Sequence, residues 1–198
     1  MNQMSIADTV YEVIKTRRVV RSYTDEPVSD ELVAKVVSAA RWASSAGNRH
    51  VHKFFITRDP AKIALVRSFS PGLLSEPPVL IFVLTDHEVA ARERLQSGDD
   101  ANAVDIGTAA QNMMNMAHAL GLGSCPVTSF SKSGVGRVLG LPPLLTPELM
   151  LMVGHPRPIE RKLRANAPKP VSIQDLTYWE HVGSHVPPDR GAWAASSA

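Results

Sequence analysis

Apolar residues recur at helical spacing in several stretches of the chain, and in others they form short runs. The helical spacing predicts helices over Ser5–Thr16, Ser29 to about Trp42, Asp59 to about Arg67, and Ser131–Leu139. Ser5 and Ser29 stand where N-cap residues are preferred. A mixed, charged stretch from His87 to Gly98 predicts a further surface helix and loop.

The longest continuous apolar run is Val79–Leu84, and turn residues bound it on both sides. Such a run predicts a strand that is buried on both faces. Glu148–Val153 predicts another apolar strand, Lys53–Thr57 a short one, and Cys125–Phe130 a short strand or loop.

The longest helical pattern runs from about Ala101 to Leu120, with Asp99 or Asp100 as its cap. It is apolar or small on nearly every side, which predicts a central buried helix or a helix in a subunit interface. Gly121-Leu122-Gly123 marks its end, because glycine supplies the left-handed cap there.

The remaining segments indicate one domain over residues 1–180. Residues 43–52 are small and polar and predict a loop. The C-terminal arm, 157–180, begins with a basic, proline-rich and extended part over 157–170 and contains a short helix over Ile173–Trp179. The polar tail, 186–198, is predicted to be disordered.

Composition narrows the function classes. A formal charge of +2 is smaller than a protein devoted to nucleic acid usually carries. One cysteine, Cys125, fits a reducing compartment and excludes an intrachain disulfide. The N-terminus lacks the layout of a secretory signal, and no apolar run is long enough to cross a bilayer. We therefore expect a cytoplasmic protein without a membrane or nucleic-acid partner.

Arg17, Arg18 and Arg21 lie within five residues, with no carboxylate closer than Glu12 or Asp25. Arginine presents a planar fork of donors that matches phosphate oxygens, so the cluster can clamp a phosphate. The alternative is a solvated basic patch, or arginines paired with carboxylates elsewhere in the fold.

Four stretches in order resemble the FMN-dependent nitroreductase family, over about Tyr11–Trp179. The arginine stretch Arg17–Tyr23 is similar to the family's opening RRSxRxF/Y pattern, and Ser44–His50 to its PSxxNxQPW loop. The long helix with Asp105 and Gln111 leads to Gly121–Ser124, and Gly154-His155-Pro156 is similar to the family's GYP turn. The sequence departs from the pattern at Val19, Ser44, His50, Val51 and His52.

The resemblance implies an α+β fold of the nitroreductase type: a central, mainly antiparallel sheet of four or five strands wrapped by helices, in a domain-swapped homodimer. FMN would lie between the subunits. Arg17, Arg18 and Arg21, with the backbone of Val19, would hold the phosphate or reach other parts of FMN; Ser45, Asn48 and His50 of the other subunit would contact the ribityl chain and ring edge. A backbone N–H near Pro126 and Val127 would meet the ring, and Arg164 or Lys169 would complete the phosphate site.

The reaction that the resemblance implies is ping-pong transfer of hydride from NADH or NADPH, through FMN, to a nitroaromatic or quinone-like acceptor. It needs no protein acid or base, so no catalytic residue is predicted. The alternatives are a flavin-dependent dehydrogenase of one metabolite, a non-catalytic FMN-binding or sensing protein, and, last, a nucleic-acid binder that uses the arginines.

Single residues with other possible chemistry have plainer interpretations. Cys125 is predicted to be a small buried hydrophobe rather than a nucleophile. His50 and His52 are not expected to bind a metal, because no third ligand is clustered with them in the sequence. The methionines of the long helix are predicted to pack in the core or in a dimer interface: Met113, Met114 and Met116.

Overall fold

The computed structural model describes residues 4–93, 100–158 and 171–185 of the chain. The chain divides into two compact units, residues 1–158 and 159–198. In the first unit the elements are α1 (Ile6–Thr16), α2 (Asp30–Ala40), a 3₁₀ turn (Ala46–Asn48), β1 (His52–Thr57), α3 (Pro60–Ser68), β2 (Val79–Asp86), α4 (His87–Arg92), α5 (Asp100–Ala119), β3 (Gly123–Val127), α6 (Lys132–Leu139) and β4 (Leu145–Gly154).

The four strands form one sheet in the order β1-β2-β4-β3, and every neighbouring pair is antiparallel. The predicted α+β architecture with an antiparallel sheet is therefore confirmed. β1 and β3 are the edge strands, and β2 and β4 form the centre.

Helices cover both faces of this sheet, and the side chains of β2 alternate between them. Ile81 and Val83 pack in a cluster with residues of α2 and α5. Leu80 and Phe82 pack in a second cluster with residues of α3 and α6. All residues of β2 except its last are buried, so the prediction of a strand buried on both faces is confirmed.

The helix ends follow from local hydrogen bonds. Ser5 and Asp8 form a reciprocal capping box at the start of α1. At the end of α5, the N–H of Leu122 donates to Ala117 O at 2.8 Å and that of Gly121 to His118 O at 3.0 Å. Gly121 has a φ of +77°, so the predicted left-handed glycine cap is confirmed.

Several boundaries differ from the sequence prediction: β3, for example, is Gly123–Val127 rather than Cys125–Phe130, and two other boundaries have a clear local cause. α2 ends at Ala40, two residues before Trp42, because the next N–H groups bond to carbonyls three residues back and tighten the turn. β4 begins at Leu145 rather than at Glu148. The strand register shifts between Val83 and Leu84, and at this irregularity Pro147 is tolerated within the strand although it donates no hydrogen bond.

α1 buries none of its residues, although one side of the helix is apolar. Ile6 and Val10 are exposed by 86% and 53%. Beside this helix lies a groove of about 360 Å³, lined by Thr9, Val10, Val13, Ile14, Ala39, Trp42, Asn112, Asn115, Met116 and Ala119. The described residues of this unit thus leave an apolar surface uncovered.

Several predictions fall on residues outside the described ranges: the end of the surface loop at Gly98, most of the extended part over 157–170, and the tail 186–198. In the second unit a 3₁₀ turn, Gln174–Leu176, lies within the predicted short helix. The single domain over 1–180 stays a prediction. No helix in the described ranges is long and apolar enough to cross a membrane.

Candidate functional site

The arginine segment, residues 17–23, follows α1 and runs beside the edge strand β3. The N–H of Val20 donates to Ser124 O at 2.9 Å, and Val19 forms a parallel bridge with Ser124. A Cβ on Gly123 would lie 2.7 Å from the Val20 side chain, so glycine permits this close approach. Because the N–H of Val20 faces β3, strand alternation turns that of Val19 away from the sheet.

The three arginines differ in their surroundings. The Nε of Arg17 is buried and has no hydrogen-bond partner in the described part of the chain. Nη1 of Arg18 donates to the carbonyls of Lys15 and Arg17 at 2.7 and 2.8 Å, at the C-terminus of α1. Arg21 is exposed. Within residues 4–93, 100–158 and 171–185, no carboxylate forms an ion pair with any of them.

Arg21 lies beside the two buried groups Cys125 and Tyr23. Burial raises the pKa of the Cys125 thiol, and the charge and hydrogen bond of Arg21 lower it. Burial, followed by the charge of Cys125, raises the pKa of Tyr23, while Arg21 lowers it. Cys125 is 2% exposed, so its predicted burial is confirmed.

Arg157 is a cation of this region that sequence reasoning did not single out. Its N–H donates to Ser22 O at 3.0 Å and its Nε to Tyr23 O at 3.1 Å. Arg157 directly follows the Gly154-His155-Pro156 turn, and this position could have identified it. Pro156 of that turn forms an antiparallel β-bridge with Tyr23. The cations predicted in the arm, Arg164 and Lys169, lie outside the described residues.

Pro126 and Val127 lie on β3 next to the arginine segment. Proline has no N–H, and Val127 is buried and paired with Met150 of β4. Since the carbonyl of Ser124 faces the arginine segment, alternation turns the backbone of Val127 toward β4. The next N–H along the chain belongs to Thr128, an exposed residue directly after the strand.

The polar loop, residues 44–51, joins α2 to β1 in an unusual conformation. Gly47, Asn48 and His50 have φ values of +61°, +56° and +50°. Left-handed backbone is strained for residues other than glycine. Within the loop, Asn48 Oδ1 lies 2.9 Å from His50 Nε2, and the N–H of His50 is 3.4 Å from Ser45 Oγ. The loop therefore brings together the predicted residues Ser45, Asn48 and His50.

Helix α5 contacts the start of this loop through two side chains. The N–H of Ala46 lies 3.0 and 3.1 Å from the two carboxylate oxygens of Asp105, which is 5% exposed. The hydroxyl of Thr108 lies 3.1 Å from Ser44 O and 2.9 Å from Asp105 O, so these two carbonyls share its one hydrogen. The end of the loop is bonded to β2, because Val51 O accepts from the N–H of Asp86 at 2.8 Å.

His52 begins β1 directly after the loop and is buried. Its ring makes edge contacts with His50 and Phe54, at centroid distances of 6.0 and 5.3 Å. Burial, then the charges of His50 and Lys53, lower the pKa of His52, while Asp105 opposes this change. A cavity of about 690 Å³ beside these rings is lined by Val37, Ser38, Arg41, Trp42, Ala43, Asn48, His50, His52 and Phe54. In the described ranges, no cluster of three His, Cys, Asp or Glu residues could hold a metal ion.

The arginine segment and the polar loop lie at opposite ends of α5. Asp105 contacts the loop, while His118 Nε2 is 2.8 Å from Thr16 Oγ1, just before the arginines. The 13 residue steps between Asp105 and His118 span roughly 20 Å of helix. The two groups also flank opposite edge strands, β1 and β3. A ligand that touches both groups of one chain would have to span roughly 20 Å along α5.

These features define a class: an α+β protein whose antiparallel sheet carries a basic segment along one edge and a strained polar loop at the other. A family model described as the nitroreductase family matches residues 14–72 and 68–155. The chain belongs to the nitroreductase family.

Named relatives agree with this assignment. An NADPH-dependent oxidoreductase of Staphylococcus epidermidis is 29% identical over 180 residues, covering 83% of this chain and 70% of that protein. An FMN reductase (NADPH) of Bacillus subtilis is 26% identical over 183 residues, covering 84% and 73%. The crystal structure of a protein described as a nitroreductase in complex with FMN, from Desulfovibrio desulfuricans, superposes with a TM-score of 0.68 at 28% identity, covering 85% of this chain and 100% of that one.

Proposed function

We propose that this protein is an FMN-dependent oxidoreductase that uses NADH or NADPH to reduce an electron-poor acceptor, such as a nitroaromatic or a quinone. The family and the names of the relatives support the cofactor and the donor. When bound, FMN would supply the chemistry of hydride transfer between donor and acceptor.

One observation supports the proposal that the arginine segment binds the phosphate of FMN. Arg17 Nε is a buried donor without an acceptor in the described part of the chain, within a basic segment that has no ion-paired carboxylate there. Buried donors are normally satisfied, and a phosphate oxygen suits an arginine donor. Arg17 and Arg21 would bind the phosphate, with the outward N–H of Val19. Arg18 would add charge while its Nη1 remains on the carbonyls of α1.

The ring end of the site would lie along β3. Pro126 would offer an apolar contact, and the N–H of Thr128 would donate a hydrogen bond to the ring, since the backbone of Val127 faces β4. Ser45, Asn48 and His50 would contact the ribityl chain and ring edge from the polar loop. None of these side chains needs to move a proton, so their work is to bind and to orient.

We further propose a homodimer in which the arginine segment of one chain meets the polar loop of the other. Two findings support this arrangement. The two groups lie roughly 20 Å apart along α5, and the apolar side of α1 is uncovered within the unit. Uncovered apolar surface of this kind marks an interaction site. A two-fold symmetric pair would form two equivalent sites.

The first test is a visible absorption spectrum of the purified protein, before and after anaerobic addition of NADPH or NADH. We expect a flavin spectrum that bleaches with one of the two donors. A flavin spectrum that persists with both would favour a dehydrogenase of one metabolite or a flavin sensor. A protein that stays colourless after incubation with FMN would contradict the proposal.

A subunit-mixing experiment tests the shared site. One chain carries Arg17→Ala with Arg21→Ala, and the other carries Asn48→Ala with His50→Ala. Each homodimer should lose tight FMN binding. The heterodimer, isolated with two different tags, should regain one FMN per dimer, because one site then combines an intact segment with an intact loop. If a heterodimer forms but does not regain FMN binding, then either both groups of a site lie on one chain or these residues are not part of the site.

A further inference from the structure

We propose that Asp105 is a positioning residue of the FMN site: its buried carboxylate holds the polar loop in its left-handed conformation, so that Ser45, Asn48 and His50 are in place before the flavin binds. The inference rests on the proposed function. It assigns a role to a residue of α5 that need not touch the flavin itself.

The bonds within the loop join Ser45, Asn48 and His50 to one another, and the N–H of Ala46 bonds outside the loop. Asn48 and His50 adopt positive φ values, which residues other than glycine rarely do. The bonds inside the loop include the Asn48–His50 contact, a backbone bond of 2.9 Å from the N–H of Asn48 to Ser45 O, and a long contact of 3.4 Å from the N–H of His50 to Ser45 Oγ. Strained backbone persists only where the surroundings determine it.

Asp105 supplies this hold at the point where the loop becomes left-handed. Both of its carboxylate oxygens lie within 3.1 Å of the N–H of Ala46, the residue that precedes Gly47. A charge-assisted bond of this kind is stronger than a neutral one. The hydroxyl of Thr108, one helical turn later, contacts Ser44 O, so a single face of α5 contacts the first residues of the loop.

Asp105 is a buried carboxylate, and its burial carries a free-energy cost. It is 5% exposed, and no cation forms an ion pair with it in the described ranges. Burying a carboxylate without a cation is unfavourable, and an apolar side chain at this helix position would avoid that cost. A loop fixed in advance lowers the ordering cost of binding, so the carboxylate improves FMN affinity at some cost to stability.

The experiment compares Asp105→Ala, Asp105→Asn and the control Asn102→Ala. Asn102 lies on the same helix and donates to Thr85 Oγ1 at 2.8 Å, on β2 rather than on the loop. Two quantities are measured for each variant: amide hydrogen exchange of residues 44–51 in the flavin-free protein, and the Kd for FMN from quenching of flavin fluorescence.

Asp105→Ala should speed exchange of the loop, including Ala46, and weaken FMN binding by about 10- to 100-fold, the effect of losing a bond to a charged group. Asp105→Asn keeps an acceptor and should recover most of the affinity. Asn102→Ala should change neither quantity, although it lowers the thermal midpoint. If Asp105→Ala does not fold, Asp105→Asn and Thr108→Val provide the same comparison, with smaller changes in both quantities.

The outcomes separate this inference from the proposed function. Faster loop exchange with an unchanged Kd would overturn the positioning role while the flavin function stands. Unchanged amide exchange of the loop in Asp105→Ala would contradict the claim that Asp105 fixes the loop conformation. A wild-type protein that binds no FMN would fail the proposed function, and the inference with it, before any variant is made.

Discussion

The arginine segment and the polar loop are held in place by opposite means. Backbone pairing fixes the arginine segment: Val20 bonds to Ser124, and Tyr23 bridges Pro156. Side chains fix the polar loop, because Asp105 and Thr108 reach it from a helix far along the chain. The first region is a strand-like strip that presents charge, and the second is a strained turn that presents small polar groups.

The difference explains what each region can tolerate. A strip held by its backbone keeps its place when a side chain is replaced, so an arginine can be removed without moving its neighbours. The turn at Ala46 depends on the Asp105 carboxylate, so removing that carboxylate should loosen the loop there. Variants in the arginine segment should therefore change binding alone, whereas variants beneath the loop should change binding and loop order together.

The largest expected effect is on FMN binding by the arginine segment. Arg21→Ala should raise the Kd for FMN by about 100-fold, as expected for loss of a charge-assisted bond to phosphate. Arg18→Ala should raise it by less than about 5-fold, because Nη1 of Arg18 already bonds to the carbonyls of α1. Titration of the flavin-free variants, followed by flavin fluorescence, measures both.

Cys125→Ala is the control for this pair. Its raised pKa keeps the thiol neutral near pH 7, so it adds no charge to the segment, and we expect nearly native FMN binding. Equal Kd values for Arg21→Ala and Cys125→Ala would contradict the assignment of Arg21 as a phosphate-binding residue.

A smaller effect is expected where the arginine segment touches β3. Gly123→Ala places a methyl group 2.7 Å from Val20, so the segment must shift, at roughly 1–3 kcal/mol of unfolding free energy. Gly136→Ala, in α6, meets its nearest neighbour at 3.9 Å and should stabilise the protein by about 0.5–1 kcal/mol through helix propensity. Urea unfolding monitored by circular dichroism measures both, and equal midpoints would contradict the close backbone contact.

The smallest expected effect concerns pH at the foot of the polar loop. The pKa of His52 is lowered in the fold, so the unfolded chain binds a proton more readily. The contribution of neutral His52 to stability is present above the unfolded pKa near 6.5 and is lost as pH falls through the lower folded value. The unfolding free energy of the wild type should thus fall below about pH 6.5, and His52→Phe should flatten this dependence. An equally steep fall in the variant would assign the proton to another group.

Sequence patterns predicted those features that depend on neighbouring residues. The apolar run of β2, the glycine cap of α5 and the burial of Cys125 were all predicted, because each follows from residue type and local spacing. The arginine cluster was identified in the same way, but its place beside β3 was not. The separate roles of the three arginines were not predicted, because the bonds of Arg18 to the carbonyls of α1 depend on where that helix ends.

The features that were missed depend on contacts between distant parts of the chain. The left-handed residues Asn48 and His50 carry no strong local signal, and the contact of Asp105 with Ala46 crosses 59 residues. Arg157 reaches the carbonyl of Tyr23 only because Pro156 bridges that residue. A pattern of neighbouring residues in the sequence does not show which distant residues come into contact.

The single proline of β3 also bears on colloidal behaviour. An open sheet edge normally invites another chain to add a strand, which is a route to aggregation. On β3 the outward carbonyl of Ser124 is already bonded to Val20, and two residues later Pro126 has no hydrogen to donate. An incoming strand would find no continuous row of partners there, so this edge is protected from edge-to-edge self-association.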